Sequence, residues 1–153
     1  MFVRFLKITF AFLLVFFVCS CSAENRVLFS ADIDATVSYL RSGREYTVRY
    51  TRAGQCETVE VLAPESLCGL VARRSDGVIT VLYSDIEYTS VAYSLFDPFA
   101  LLSPIEVTRQ SDGEYKSVDG KVTVTLFGDI PSEVSGENMT LKIIEFTEGR
   151  EAK

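Results

Sequence analysis

The sequence predicts a mostly β, α+β domain: a curved antiparallel sheet, or half-open barrel, of about eight strands with a short helix on its concave face. Apolar and polar residues alternate with a period of two through most of residues 31–148, which is typical of strands with one buried face. Short turns containing Gly or Asp join these segments, as in an antiparallel meander. One segment, 97–110, breaks the alternation and indicates the helix.

The alternation is clearest in residues 32–40, where Ile33, Ala35, Val37 and Tyr39 are separated by polar or charged side chains. Side chains two residues apart share a face, so these four residues predict the buried side of the sheet. The other predicted strands cover residues 45–51, 57–62, 67–74, 78–85, 86–95, 120–128 and 139–146. The inward side chains expected to form a concave cup are Tyr39, Val48, Val61, Val81, Val91, Val124 and Ile143.

The exceptional segment 97–110 predicts a short apolar helix that packs on the sheet. We expect Asp97 to be the N-cap and Pro98 the first helical residue, with Pro104 limiting the helix to about two turns. Its apolar residues Phe99, Leu101, Leu102 and Ile105 are too crowded for a strand with one wet face. Two interpretations remain open: the segment either plugs the core or forms a lid over an apolar ligand.

The first twenty residues predict a secretory signal peptide. Arg4 and Lys7 supply a positive start, and Ile8–Val18 is an apolar stretch too short to span a bilayer comfortably. The predicted organisation follows from this assignment. It consists of a signal peptide (1–20), a lipidated N-terminus and tether (21–30), a β-rich domain (31–148) and a solvated tail (149–153).

The signal ends in Val18-Cys19-Ser20-Cys21, which resembles the bacterial lipobox. That resemblance implies that Cys21 carries diacylglycerol and anchors the protein to the extracytoplasmic face of a bacterial cell membrane. Two alternatives are ordinary cleavage after Ala23 and an uncleaved anchor.

Composition narrows the function classes. The chain has no histidine, which removes the usual Ser-His and Cys-His pairs and the commonest metal ligand. Its net charge of −6 and the absence of a basic patch argue against nucleic-acid binding. No metal-loop or phosphate-loop spacing is present. We therefore expect a non-enzymatic protein without a cofactor, which binds either a lipid or other apolar ligand or an envelope protein partner.

Cys56 and Cys68 are the other two cysteines. Their spacing lacks the close pairs of a zinc site, and outside the cytoplasm a disulfide is reasonable. Two free thiols are the alternative.

The chain resembles the LolA/LppX-like superfamily, which includes lipoprotein carriers and envelope lipoproteins, over about residues 30–146. The resemblance rests on the order of a lipobox, an antiparallel meander, a central segment, an apolar helical segment and two more strands. The matching residues are Pro64, Leu67, Gly69, Leu70, Asp76, Gly77 and Tyr83. The resemblance implies a half-open antiparallel barrel whose apolar concave face is covered by helices and binds acyl chains in the larger members. The candidate ligand-facing residues are Tyr39, Val48, Val61, Val81, Phe99 and Leu102. The alternative is an envelope lipoprotein with a filled core and no ligand.

Overall fold

A computed structural model of the protein describes residues 25–90 and 93–149, which form twelve strands and three short 3-10 helices. The strands are β1 (Asn25–Leu28), β2 (Ile33–Arg41), β3 (Arg44–Ala53), β4 (Cys56–Ala63), β5 (Val71–Ser75), β6 (Val78–Tyr83), β7 (Ile86–Ser90), β8 (Ile105–Ser111), β9 (Glu114–Ser117), β10 (Thr123–Phe127), β11 (Ile130–Ser135) and β12 (Thr140–Glu148). The helices are η1 (Glu65–Leu67), η2 (Tyr93–Leu95) and η3 (Asp97–Leu102).

The fold class predicted from the sequence is wrong in two respects. The described residues are nearly all antiparallel sheet, with twelve strands rather than about eight, and their helices are all 3-10 helices, so the domain is not α+β. The sequence prediction missed β1, β8, β9 and β11. β1 lies inside the predicted tether, and β8 begins at Ile105, in the part of the 97–110 segment that follows Pro104.

All twelve strands belong to one open antiparallel sheet in the order β1-β8-β9-β10-β11-β12-β2-β3-β4-β5-β6-β7. The strands β2 to β7 form one continuous meander and β8 to β12 form another. Pairing between β12 and β2 joins the two meanders, and β1 extends the far edge beyond β8.

The short connection between β1 and β2 requires the sheet to curl. Six strand spacings separate these two strands, or about 29 Å in a flat sheet. Leu28 and Ile33, at the two ends of the connection, are five Cα steps apart, which reach at most about 19 Å. The sheet therefore bends into a trough, and one of its faces lies inside.

The inner face carries the core, and strand registers identify it. Tyr50 on β3 is opposite Val59 on β4, which is opposite Ala72 on β5, and all three are almost completely buried. The predicted inward residues of β2, from Ile33 to Tyr39, are also buried. The period-two reading of these central strands is therefore confirmed.

The connection from β7 to β8 crosses the inner face and carries η3. Phe99 and Leu102 are 2% and 0% exposed, so this helix packs its apolar side on the sheet. The predicted cap is wrong by one residue. Phe96 is the N-cap, Asp97 is the first helical residue, and Pro98 is the second rather than the first.

The signal peptide, Cys21 and most of the tail, 150–153, lie outside the described residues, as does Val91. Within residues 25–90 and 93–149, no helix is long and apolar enough to cross a membrane. The sheet extends from Asn25 to Glu148, so it begins inside the 21–30 segment.

Candidate functional site

The centre of the inner face is filled by the segment that crosses it, which we call the plug (residues 93–102). The Phe99 ring stacks on the Tyr50 ring with centroids 4.5 Å apart and an interplanar angle of 3°. The same ring meets Tyr39 edge-on at 6.2 Å and 89°. Because the plug rings are in direct contact with the sheet, no ligand fits between them here. Val48, Phe99 and Leu102, predicted to face a ligand, lie in this filled centre.

An inner-face arginine fixes the plug to the sheet. Arg52 on β3 donates a hydrogen bond to the Leu102 carbonyl oxygen at 2.7 Å. It also donates to the carbonyl oxygens of Phe29 and Ala31 at 2.5 and 3.0 Å. One planar guanidinium thereby holds both segments that cross the trough, the β1–β2 connection and the plug.

A hydrogen-bonded set of three side chains, Tyr50, Glu57 and Arg74, lies next to Arg52 on the same face. The Tyr50 hydroxyl donates to a Glu57 carboxylate oxygen at 2.8 Å, and the other oxygen of Glu57 accepts from Arg74. The Arg74 guanidinium lies 4.8 Å from the ring centroid of Phe96, a cation–π contact with the plug. Burial, followed by the hydrogen bond to Glu57, raises the pKa of Tyr50 well above its usual value.

Beside the plug, the inner face is not filled. A cleft of about 240 Å³ lies between the plug, the β2–β3 turn and the η1 loop. Its lining is largely apolar and consists of Tyr39, Tyr46, Val59, Val61, Leu67, Leu70 and Leu95, with Arg41, Ser42 and Ser94 as the polar members. Of the predicted ligand-facing residues, Tyr39 and Val61 line this cleft. Val81 lies on the same face farther out and is half-buried.

Two tyrosines and one arginine give the cleft its character. Tyr39 and Tyr46 stack with centroids 5.5 Å apart and form one wall. Burial raises the pKa of the Tyr39 hydroxyl above its usual value. Arg41, at the end of β2, donates to the Ser94 carbonyl oxygen of the plug at 2.8 Å. An arginine has five N–H donors, so after this bond Arg41 can still donate hydrogen bonds to a ligand in the apolar cleft.

Of the two interpretations of Cys56 and Cys68, the structure has the free thiols. Cys56 begins β4, whereas Cys68 lies beyond its far end, where the next residue, Gly69, donates its N–H to the carbonyl of Val61. Cys56 and Val61 are five residues apart on the strand, or about 16 Å. A disulfide requires Cα atoms within about 7 Å, so the length of β4 keeps the thiols apart.

The sequence reasoning missed Arg41 and Arg52, although one signal pointed to them. Both continue the inward period: Arg41 follows Ile33 through Tyr39 on β2, and Arg52 follows Tyr46, Val48 and Tyr50 on β3. In the part of the chain that the structure describes, no group of three His, Cys, Asp or Glu side chains is placed to hold a metal ion.

These features define an open, curled antiparallel sheet with a plugged centre and an apolar cleft beside the plug. No protein-family model and no curated protein matches the chain. It is similar in structure to an uncharacterised conserved protein from Thermus thermophilus, at 18% identity and TM-score 0.48, over 80% of this chain and 82% of that chain.

A second solved structure belongs to the superfamily that the sequence resembles. It is a LolA superfamily protein from Nitrosomonas europaea, at 9% identity and TM-score 0.43, over 80% of this chain and 87% of that chain. Both TM-scores lie below 0.5, so neither similarity establishes a common family or a common ligand.

Proposed function

We propose that this protein is a membrane-anchored, extracytoplasmic lipoprotein that binds one apolar chain with an anionic head group, without catalysing a reaction. The predicted acylation of Cys21 supplies the anchor. The observation that carries the binding function is the apolar cleft beside the plug, with Arg41 among its few polar members.

The size of the cleft limits the ligand. Typical small-molecule pockets enclose about 300–1,000 Å³, whereas this cleft encloses about 240 Å³. It therefore suits a single short acyl chain or the end of a longer one. The stacked pair Tyr39–Tyr46 and the side chains of Leu67 and Leu70 supply apolar surface that an acyl chain can contact.

Arg41 supports an anionic head group. Arg41 as a residue is half-buried, and its guanidinium is held to the plug by the bond to the Ser94 carbonyl, so it is positioned before a ligand arrives. A charge-assisted hydrogen bond to a carboxylate or phosphate contributes more than a neutral one. We therefore favour a fatty acid or an acyl phosphate over a neutral hydrocarbon.

The filled centre favours a second candidate: an envelope lipoprotein that recognises a protein and binds no ligand. The contact between Phe99 and Tyr50 and the bond from Arg52 to the Leu102 carbonyl support a plug that is part of the core. An absence of ligand binding in the experiment below would favour this protein-recognition function.

The test is a titration of the intact protein with dodecanoate and with dodecanol, and native mass spectrometry of protein extracted from its own membrane. Leu67→Gln places an amide in the cleft wall and should weaken dodecanoate binding about tenfold, because it removes roughly 1.4 kcal/mol or more of apolar burial. Leu82→Gln is the matched control, since Leu82 is 40% exposed on the outer face.

A second variant tests the head group. Arg41→Gln should weaken dodecanoate binding about tenfold and leave dodecanol binding unchanged, because only the carboxylate uses the positive charge. Equal loss for both ligands would contradict the assignment of Arg41. Recovery of the unliganded mass alone, with no measurable dodecanoate binding, would overturn the binding function and favour the protein-recognition alternative.

A further inference from the structure

Two apolar side chains lie exposed at the turn of the β10–β11 hairpin and do not belong to the core. Phe127 and Ile130 are 84% and 57% exposed, and they are directly opposite each other in the strand register. Opposite residues of an antiparallel pair project from the same face. We call this pair, with the two turn residues Gly128 and Asp129 between them, the tip.

The geometry of the tip is fixed by its turn. Gly128 has φ of 66°, which suits the first central residue of a two-residue type II′ hairpin turn. Side chains flanking such a tight turn lose little freedom on contact with a partner. Phe127 is also the most exposed large apolar side chain among the described residues.

The tip lies beside the start of the described chain. Asp129 forms an ion pair with Arg26 on β1 at 3.6 Å, and β1 begins at Asn25. Cys21, the predicted acylation site, is five residues before Arg26. However those residues are arranged, five residues span at most about 18 Å. The lipid anchor therefore holds the tip close to the bilayer surface.

The charges around the tip are balanced. Arg26 pairs with Asp129, and Arg109 pairs with Asp112 at 2.8 Å, on the same side of the sheet. All four, with Phe127 and Tyr115, line one open depression of about 500 Å³. The chain as a whole is acidic, so an anionic surface would repel it. The tip suits a zwitterionic bilayer that it contacts through apolar side chains.

From this juxtaposition we propose that the tip inserts Phe127 and Ile130 into the interface of a phospholipid bilayer and sets the orientation of the anchored domain. The inference rests on the lipid anchor of the proposed function and not on its ligand. An acyl chain alone leaves a domain free to rotate about its tether. A second, apolar contact next to the tether fixes which end of the sheet faces the membrane.

The experiment uses the absence of tryptophan from the chain, so that one introduced tryptophan is the only one. Full-length Phe127→Trp is produced as the lipoprotein, its acyl mass is verified, and it is reconstituted into phosphatidylcholine vesicles with brominated acyl chains. Tyr88→Trp is the matched control: Tyr88 is 65% exposed, but it lies on β7 at the opposite edge of the sheet.

In Phe127→Trp the tryptophan emission should shift to shorter wavelength. Its quenching by the brominated lipid should be about twofold or more stronger than in Tyr88→Trp. Equal quenching of both variants in protein that floats with the vesicles would overturn the inference and leave the anchor intact. Quenching that appears only when anionic lipid is added would also overturn it, because the contact would then be electrostatic. Protein without acyl mass that does not float would overturn both the anchor and the inference.

Discussion

One row of side chains crosses five strands of the sheet, and its two ends differ sharply. The row contains Tyr50, Val59, Ala72, Val81 and Tyr88, each opposite the next on the inner face. Tyr50 is 0% exposed, whereas Tyr88 is 65% exposed. The two tyrosines share a residue type, a face and a row. They differ in cover, because Phe99 stacks on Tyr50, and in position, because Tyr50 lies on the central strand β3 and Tyr88 on the edge strand β7.

The difference shows that burial in this protein depends on the reach of the plug rather than on the strand pattern. A sheet of twelve strands offers more inner surface than the short plug can cover. The middle of the trough becomes core, the side next to the plug becomes a cleft, and the β7 edge stays open at Tyr88. The comparison yields three predictions, which act on the covered end with decreasing effect.

The largest effect is expected for Phe99→Ala. Removing a buried phenyl ring leaves a cavity over Tyr50 and should lower the free energy of unfolding by about 3–5 kcal/mol, measured by chemical denaturation. The control is Tyr88→Ala at the open end of the row, which should change it by less than about 0.5 kcal/mol. A loss at Phe99 no larger than at Tyr88 would show that the plug does not belong to the core.

An intermediate effect is expected for Arg52→Met, which keeps the volume and removes the donors to three carbonyl groups. Partly buried carbonyls without a donor should cost about 1–3 kcal/mol of unfolding free energy. Arg49→Met on the outer face of the same strand is the control. It removes an exposed ion pair with Asp34 and should lower the unfolding free energy by much less than Arg52→Met does. Similar losses for both variants would contradict the role of Arg52 in holding the plug.

The smallest effect concerns pH. The pKa of the Tyr50 hydroxyl is raised in the folded protein. As pH rises above about 10, the unfolded chain therefore loses the hydroxyl proton before the folded protein does. The contribution of Tyr50 to the free energy of unfolding is then lost as pH rises toward the folded pKa. Tyr50→Phe should cost about 1 kcal/mol at pH 8 through the lost bond to Glu57, and it should flatten the alkaline decline in unfolding free energy. An unchanged slope in this variant, against Tyr88→Phe, would contradict the assignment.

Much of the sheet was predictable because its central strands have one wet face. Alternation located the strands from β2 to β7, together with β10 and β12. The missed strands lack that signal for physical reasons. β8 follows Pro104 directly, β11 carries Pro131 at a register shift, and β1 and β9 are four residues long.

The candidate site was harder to predict, because apolar residues that face inward do not say what covers them. Val48 and Val61 follow the same pattern, yet Val48 lies in the filled centre and Val61 lines the cleft. A helix was expected in segment 97–110. How much of the sheet it covers depends on where the β7–β8 connection crosses the inner face, and that is set by contacts between distant parts of the chain. Arg52 lies at an inward position of the period-two pattern. It was not predicted as part of the site because charged residues are uncommon at such positions.

The pairing of β12 with β2 also determines when the domain can fold. The N–H of Ala31 donates to the carboxylate of Glu148, 117 residues later, at 3.4 Å. The two meanders can each form locally, but the trough closes only after the last strand has been synthesised. Such non-local closure is slow compared with local hairpin formation. A chain of this topology stays incomplete until its C-terminus arrives, so truncation before β12 removes the seam between its halves as well as one strand.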